Sequence, residues 1–325
     1  MNETDKKPPS ARLAWLRRIA TLAATVGLLV YIFRSVPLDA TWQAVREAGP
    51  LLPVVAFAYF LYCFAADSIA TWATFRWFCA PLALADVFAI RGATYLLAIV
   101  NYNLGQGGMV YVVGRKPGVG YARATGTVLL TMGVMVVALL MLAAFGSAFG
   151  PEDEPRLRLM GLVSAVGLGG LVLYLGLVAL RPARLARIRV FQPLFDAGIL
   201  GHAKAWLVRF PHVGGHIVFQ WLLLRLFRVE VPFTTAACLL PVVLVIGWLP
   251  ITIQGLGTQQ LAVMELFAPY AAAPSLEAQN AQVLAYSLSL TGLFVLYSAV
   301  TGLLCLRRAG RASRRPAAAS SDPPA

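Results

Sequence analysis

Long apolar runs are the feature that most constrains the fold of this chain. Several of them approach or exceed the roughly 20 residues that an α-helix needs to cross about 30 Å of hydrocarbon. Of the 325 residues, 59% are hydrophobic and 13% are charged, whereas soluble domains have about 45–50% apolar and 25% charged residues. The sequence therefore predicts an all-α fold, a polytopic transmembrane helix bundle.

Six apolar stretches are predicted to be full membrane spans. Basic residues precede the first stretch at Arg17 and Arg18 and follow the last at 307–315. Because positive charge accumulates on the cytoplasmic side, we expect both termini to be cytoplasmic. The predicted organisation is a tail at 1–13, a membrane domain at 14–306 and a basic tail at 307–325. The predicted spans are 19–33, 51–75, 124–149, 157–180, 212–227 and 283–306.

The net charge of +13 does not indicate a nucleic-acid-binding protein. The basic residues form short clusters at the ends of apolar runs, which is typical of topology signals and of contacts with anionic lipid head groups. The four cysteines show no CxxC spacing, and the three histidines share no acidic partner at metal-ligand spacing. We therefore expect no metal site and no cofactor.

Two segments rich in glycine and amides interrupt the apolar pattern. The first is 101–108, and the second is 249–260, which contains Pro250, Gly255 and Gly257. Hydrocarbon tolerates broken backbone only where protein or a water-filled cavity satisfies the freed N–H and C=O groups. The distribution of basic residues also requires that about 87–114 enter and leave on the cytoplasmic side and about 231–270 on the outer side. We therefore predict two oppositely oriented re-entrant hairpins in an inverted-repeat-like bundle, with a polar site near the midplane.

Asp67 and Arg91 are the charged candidates within the predicted membrane domain. A carboxylate at membrane depth is costly and usually faces a bundle interior or an aqueous cavity. The alternative is that Asp67 is solvated near the cytoplasmic interface, paired with Arg76 or Arg91. Arg91 begins the first hairpin, where it either binds a lipid phosphate or extends its charge to the interface.

Polar side chains at the two breaks are the other candidates for substrate binding. Amides beside helix ends can hold an anionic or hydroxylated head group, or they can only cap the exposed backbone. Basic residues after the first break can gather a phosphate, or they can serve only as topology signals. The candidates are Asn101, Asn103, Gln106, Arg115 and Lys116 in the first half and Gln254, Gln259 and Gln260 in the second.

Nothing in the sequence is typical of soluble-enzyme chemistry. We find no P-loop, dinucleotide fingerprint or nucleophile elbow, and we predict no catalytic residue. The longest loop, 181–211, is too short for a catalytic domain. It contains an amphipathic stretch at 193–207, which we expect to lie as a helix on the inner leaflet.

The two breaks resemble motifs of the membrane domain of lysylphosphatidylglycerol synthase/flippase proteins. Segment 249–260 is similar to that family's Pro-x-x-x-Gly-Gly-Leu-Gly-x-x-Glu signature, and segment 101–108 is similar to its Asn-x-x-x-Pro-x-x-x-Gly-Glu/Asp-x-x-Arg segment. The resemblance covers about 51–306. It implies a multi-pass protein of the bacterial cytoplasmic (inner) membrane, with re-entrant segments and a role in moving or presenting lipids.

Departures from the family's pattern bear on the expected substrate. Met109 and Gln260 stand where the resemblance places acidic residues, Val112 where it places an arginine, and Gly105 where it places a proline. Fewer carboxylates favour an anionic or neutral head group over a cationic one. We expect translocation of a lipid or lipid-linked sugar without nucleotide hydrolysis and without aminoacyl transfer. The alternative is a non-transporting scaffold or regulator of a lipid-modifying enzyme.

Overall fold

The structure, a computed structural model, describes residues 22–314 except 24, 33, 35 and 250, and it leaves out the side chains of 254, 313 and 314. Regular structure in this part is helical, apart from one isolated antiparallel bridge between Val229 and Ala271, so the all-α prediction is confirmed. Residues 22–23, 25–32 and 34 are helical. The helices that follow are α1 Leu38–Ala48, α2 Leu51–Phe78, α3 Leu84–Ala98, α4 Tyr102–Gly114, α5 Tyr121–Phe149, α6 Pro155–Leu180, α7 Ala183–Ala186, α8 Gln192–Leu226, α9 Phe233–Trp248, α10 Thr258–Phe267 and α11 Leu276–Arg314.

Four of the described helices are long and apolar enough to cross a membrane. They are α2, α5, α6 and the Leu276–Ala312 part of α11, and they correspond to four of the six predicted spans. At 1.5 Å per residue, the 28 residues of α2 extend about 42 Å, more than the hydrocarbon thickness. Helix α11 continues to Arg314, so the first residues of the predicted tail are helical. Residues 19–21 of the first predicted span lie outside the described part.

Helix α8 differs from the prediction for this region. We expected a surface helix at 193–207 and a separate span at 212–227, whereas α8 includes both. Its backbone is non-helical at Gly198, and Pro211 lies within the helix. One face of α8 is buried against protein at Phe195, Ala205 and Arg209, whereas Leu200 and Leu207 on this helix are exposed.

Two pairs of short helices contain the glycine-rich breaks. Helices α3 and α4 have 15 and 13 residues, and α9 and α10 have 16 and 10, so at 1.5 Å per residue each arm spans about 24 Å or less. Glycine lets the arms of each pair approach closely. A Cβ at Gly105 would lie 2.9 Å from the Cβ of Ala98, and one at Gly247 would lie 2.6 Å from Cδ of Gln259.

Each pair of short helices packs against the long helix that ends the other half of the chain. A Cβ at Gly92 in α3 would lie 2.9 Å from Cβ of Cys305 in α11. A Cβ at Gly146 in α5 would lie 2.5 Å from the backbone nitrogen of Cys238 in α9. The long helices α2 and α8 also pack together. The two halves are thus interlocked around a shared interior.

Candidate functional site

A cavity of about 260 Å³ lies in this interior. Helices α2, α3, α4, α5, α8, α9, α10 and α11 all contribute to its wall, so it lies where both pairs of short helices meet the long helices. Among the sequence candidates, Asp67, Arg91, Gln106 and Gln259 line it.

Asp67 forms the centre of a buried ion cluster beside this cavity. Its Oδ2 accepts hydrogen bonds from Arg91, one of them from Nε at 2.9 Å, and its Oδ1 accepts one from Arg209 at 2.5 Å. Tyr95 donates to the same Oδ2 at 3.3 Å, and Arg209 donates to the hydroxyl of Thr71 at 3.1 Å. The relative exposures of Asp67, Arg91 and Arg209 are 5%, 5% and 1%. Asp67 is therefore paired inside the bundle, with Arg91 as one of the two proposed partners, and the cluster carries one net positive charge.

A column of polar side chains continues along the cavity from this cluster. The hydroxyl of Tyr59 is 2.6 Å from Nδ1 of His216, and Tyr286 donates to Oε1 of Gln220 at 2.9 Å. His212 lies one turn before His216, and its Nδ1 has no hydrogen-bond partner among the described residues. All five side chains line the cavity. The cavity thus has a cationic end and a longer wall of uncharged hydrogen-bonding groups.

The two glycine-rich breaks meet at the same cavity. Asn103, at the start of α4, donates from Nδ2 to the carbonyl of Trp248 at the end of α9, at 3.1 Å. The rings of Tyr102 and Trp248 stack with centroids 5.4 Å apart. Gln106 in α4 and Gln259 in α10 line the cavity; residues 102–108 of the first predicted break are helical, and the chain is non-helical at 99–101 just before them. The breaks therefore form one polar junction with contributions from both halves of the chain.

A family model describing the lysylphosphatidylglycerol synthase transmembrane region matches residues 18–288. The chain belongs to this family. The resemblance drawn from the two breaks is thereby confirmed, and the chain is a multi-pass membrane protein of a family with a lipid-related function. No curated protein matches the chain.

Two positions where the resemblance to lysylphosphatidylglycerol synthases places acidic residues are buried in this structure. They are Met109 and Gln260. Met109 is 0% exposed and packs in an apolar cluster. Gln260 is also 0% exposed; its Oε1 accepts from the N–H of Gly257 at 2.6 Å, and its Nε2 donates to Ser287 at 3.3 Å. Gln260 therefore caps α10 and ties it to α11, and it does not line the cavity.

Several other predicted site residues also lie away from the cavity wall. Asn101 caps α4 by accepting from the N–H two residues further on, at 2.8 Å. Arg115 is exposed and donates to the tyrosine one turn earlier. Lys116 is buried and donates from Nζ to the carbonyl of Ala312 in α11 at 2.6 Å. The side chain of Gln254 lies outside the described residues. The basic pair after the first break therefore does not form a phosphate site at this cavity.

Arg209 is the important residue that sequence reasoning missed. It lies in the predicted loop 181–211 and was not among the predicted site residues, although it is the second partner of Asp67. A signal was present: Arg209, His212, His216 and Gln220 recur at intervals of three and four residues, which places them on one face of a helix. A polar stripe of this kind on an otherwise apolar helix indicates a cavity-facing surface.

Proposed function

We propose that this protein translocates a lipid or lipid-linked sugar across the cytoplasmic membrane of a bacterium, without nucleotide hydrolysis. Its polar head group, anionic or neutral, would enter the cavity while its acyl chains remain in the bilayer. The proposed role involves no covalent chemistry. The proposed topology has six full spans, two re-entrant hairpins at α3–α4 and α9–α10, and both termini in the cytoplasm.

The observation that carries this proposal is the buried ion cluster at the edge of a cavity inside a bundle of apolar helices. Ionisable groups at membrane depth are expensive and mark substrate or ion pathways. The guanidinium of Arg91 lines the cavity, and arginine donates in the fork geometry that suits phosphate oxygens. Cavity and cluster together therefore support binding of a head group that carries phosphate.

The arrangement of the short helices supports movement of that head group. Arms of about 24 Å or less are too short to cross the hydrocarbon fully. Secondary transporters place broken helices at the interface of inverted repeats, near the bilayer midplane. The hydrogen bond between Asn103 and the carbonyl of Trp248 links the two breaks. Small relative motions of the two pairs would therefore open the cavity to one side or the other.

Transport is tested with the full chain reconstituted in liposomes that contain acyl-labelled fluorescent lipids. We expect labelled phosphatidylglycerol to exchange between leaflets faster than in protein-free liposomes, and Arg91→Gln to reduce the rate. Arg115→Gln is the matched control, because Arg115 is an exposed arginine away from the cavity. Flip rates that equal the protein-free background for anionic and neutral lipids alike would refute the proposal.

The re-entrant topology is tested separately by cysteine labelling. We would place single cysteines at Gly107 and at Ile251, near the two breaks, in a variant without the four native cysteines. Membrane-impermeant thiol reagents are expected to reach the first position from the cytoplasmic side and the second from the outer side. Protection of both positions from either side, as in unbroken lipid-packed helices, would exclude the paired hairpins.

A second candidate function is a non-transporting scaffold or regulator of a lipid-modifying enzyme. The burial of Met109 in an apolar cluster and the capping role of Gln260 favour it, because both positions serve structure here. This alternative predicts that Arg91→Gln leaves both partner association and membrane lipid composition unchanged. A changed lipid composition with intact partner association would favour translocation instead.

A further inference from the structure

The ion cluster contains one more positive charge than its own carboxylate neutralises. Both oxygens of Asp67 are engaged, Oδ2 by Arg91 and Oδ1 by Arg209. Arginine does not lose its proton in proteins, so this excess charge is permanent. Nε of Arg209 also has no hydrogen-bond partner in the part of the chain that the structure describes. A buried cluster of this kind is stabilised by one additional anion.

The two arginines differ in how easily they can change partners. Arg209 bonds to Asp67 and also to Thr71, one turn further along α2, so α2 holds it at two points. Arg91 lies on the short helix α3, bonds to Asp67 and has its guanidinium 5.5 Å from the ring centroid of Tyr95. Arg91 lines the cavity, whereas Arg209 does not. An anion that enters the cavity therefore meets Arg91.

The rest of the cavity wall excludes a positively charged head group. Asp67 is the one carboxylate among the described lining residues, and both of its oxygens already have arginine partners. Aliphatic and aromatic side chains form much of the wall beyond the ion cluster. The polar groups there are amides, hydroxyls and two histidines, with Gln106, Gln259, Ser287 and Thr291 among them. Amides and hydroxyls can bond to sugar or glycerol hydroxyls without charge, whereas an ammonium group would find no free anion.

We propose that the cavity selects lipids with a monoanionic phosphodiester and an uncharged, hydroxylated head group. In the resting state Asp67 occupies the place of the phosphate. The incoming phosphate takes Arg91 from Asp67, which stays paired with Arg209, and the hydroxyls of the head group reach the amide wall. On release, Asp67 regains Arg91. This inference rests on the proposed function, since it names the lipid class at the same cavity.

The first test measures binding by the full chain in uncharged detergent, through thermal stabilisation and lipid retention in native mass spectrometry. The probes are phosphatidylglycerol, phosphatidylcholine with the same acyl chains, and inorganic phosphate. We expect phosphatidylglycerol to bind about tenfold or more tightly than phosphatidylcholine, because the choline ammonium would be buried without an anionic partner. Arg91→Gln should weaken the binding of both lipids about tenfold or more, since both carry the phosphodiester, whereas Arg91→Lys and the surface control Arg115→Gln should leave it largely unchanged.

The carboxylate is tested by Asp67→Asn, which raises the net charge of the cluster to two. We expect stronger retention of phosphatidylglycerol but slower flipping in liposomes, because no internal anion displaces the phosphate. A merely structural role of Asp67 would lower retention and flipping together. If the variant does not fold, the comparison of Arg91→Gln with Arg91→Lys still decides.

The outcomes separate this inference from the proposed function. Equal binding of the two lipids by the unchanged protein would overturn the selectivity, and phosphatidylglycerol binding that Arg91→Gln leaves unchanged would overturn the role of Arg91. Stabilisation by inorganic phosphate equal to that by phosphatidylglycerol would overturn the lipid as the source of the anion. A preference without any flipping would uphold the selectivity and refute translocation. Flipping of both lipids at equal rates would uphold translocation and refute the selectivity.

Discussion

Replacing the carboxylate of the ion cluster alone should destabilise the fold, whereas replacing the whole cluster by apolar residues should not. Asp67→Ala leaves two guanidinium ions at sites that are 5% and 1% exposed, without their common counter-ion. Removing one partner of a buried ion pair costs about 3–5 kcal/mol, whereas replacing the complete set by apolar residues of similar volume is neutral or stabilising by about 1–4 kcal/mol. The single variant should therefore lower the ratio of folded to unfolded protein by roughly two to four orders of magnitude relative to the unchanged protein.

The measurement is an unfolding titration in mixed micelles, followed by the fluorescence of the seven tryptophans. The variants are Asp67→Ala and the triple replacement Asp67→Leu, Arg91→Met and Arg209→Met. We expect the triple variant to be at least as stable as the unchanged protein and yet inactive in lipid flipping. That result would mean that the charges are retained for function at a cost in stability. A triple variant as unstable as Asp67→Ala would show instead that the cluster holds the fold together, and it would refute this reasoning.

Three further predictions concern the packing around the cavity. Gly92→Leu should destabilise the protein by about 1–3 kcal/mol in the same titration, because its side chain would meet α11, whereas Gly107→Ala, with nothing within 4 Å, should be neutral or stabilising. Lys116→Met should cost about 1 kcal/mol or more, since it leaves the carbonyl of Ala312 without this donor; lipid flipping by the folded fraction should be unchanged. Asn103→Ala removes the hydrogen bond to Trp248 that links the two breaks, and it should change the flip rate more than it changes the free energy of unfolding. Liposome and unfolding assays on the same preparation would measure both effects.

The spans could be predicted from the sequence because the pattern that specifies them is local. Helices α2, α5 and α6 contain long, predominantly apolar runs, and length and composition identify such runs. The second glycine-rich segment interrupts the helices as predicted, whereas 102–108 of the first belong to α4 and the interruption lies at 99–101. The structure adds the contact between Asn103 and Trp248, which joins residues from opposite halves of the chain.

The partners of the charged residues could not be predicted in the same way. Arg209 and Lys116 each lie near a predicted end of a membrane segment, where a basic residue is typical of a topology signal. Their burial depends on long-range packing: α8 continues through Pro211, and the last turns of α11 return to Lys116. The sequence could not decide between the two alternatives for Asp67 for the same reason, because its partners come from two other helices, α3 and α8.

In the proposed mechanism, the position of the ion cluster couples lipid selection to motion of the first pair of short helices. Asp67 and Thr71 lie on α2, and both hold Arg209 of α8, so this contact belongs to the pairing of two long helices. Arg91 lies on α3, so a displacement of α3 relative to α2 must break its bond to Asp67 and leave an unpaired buried cation. A ligand can shift such an equilibrium only by its differential affinity for the two states. A phosphate that binds Arg91 provides this difference, whereas a lipid without accessible negative charge does not. The proposed selectivity for the head group and the proposed opening of the cavity would therefore depend on the same exchange of partners at one arginine.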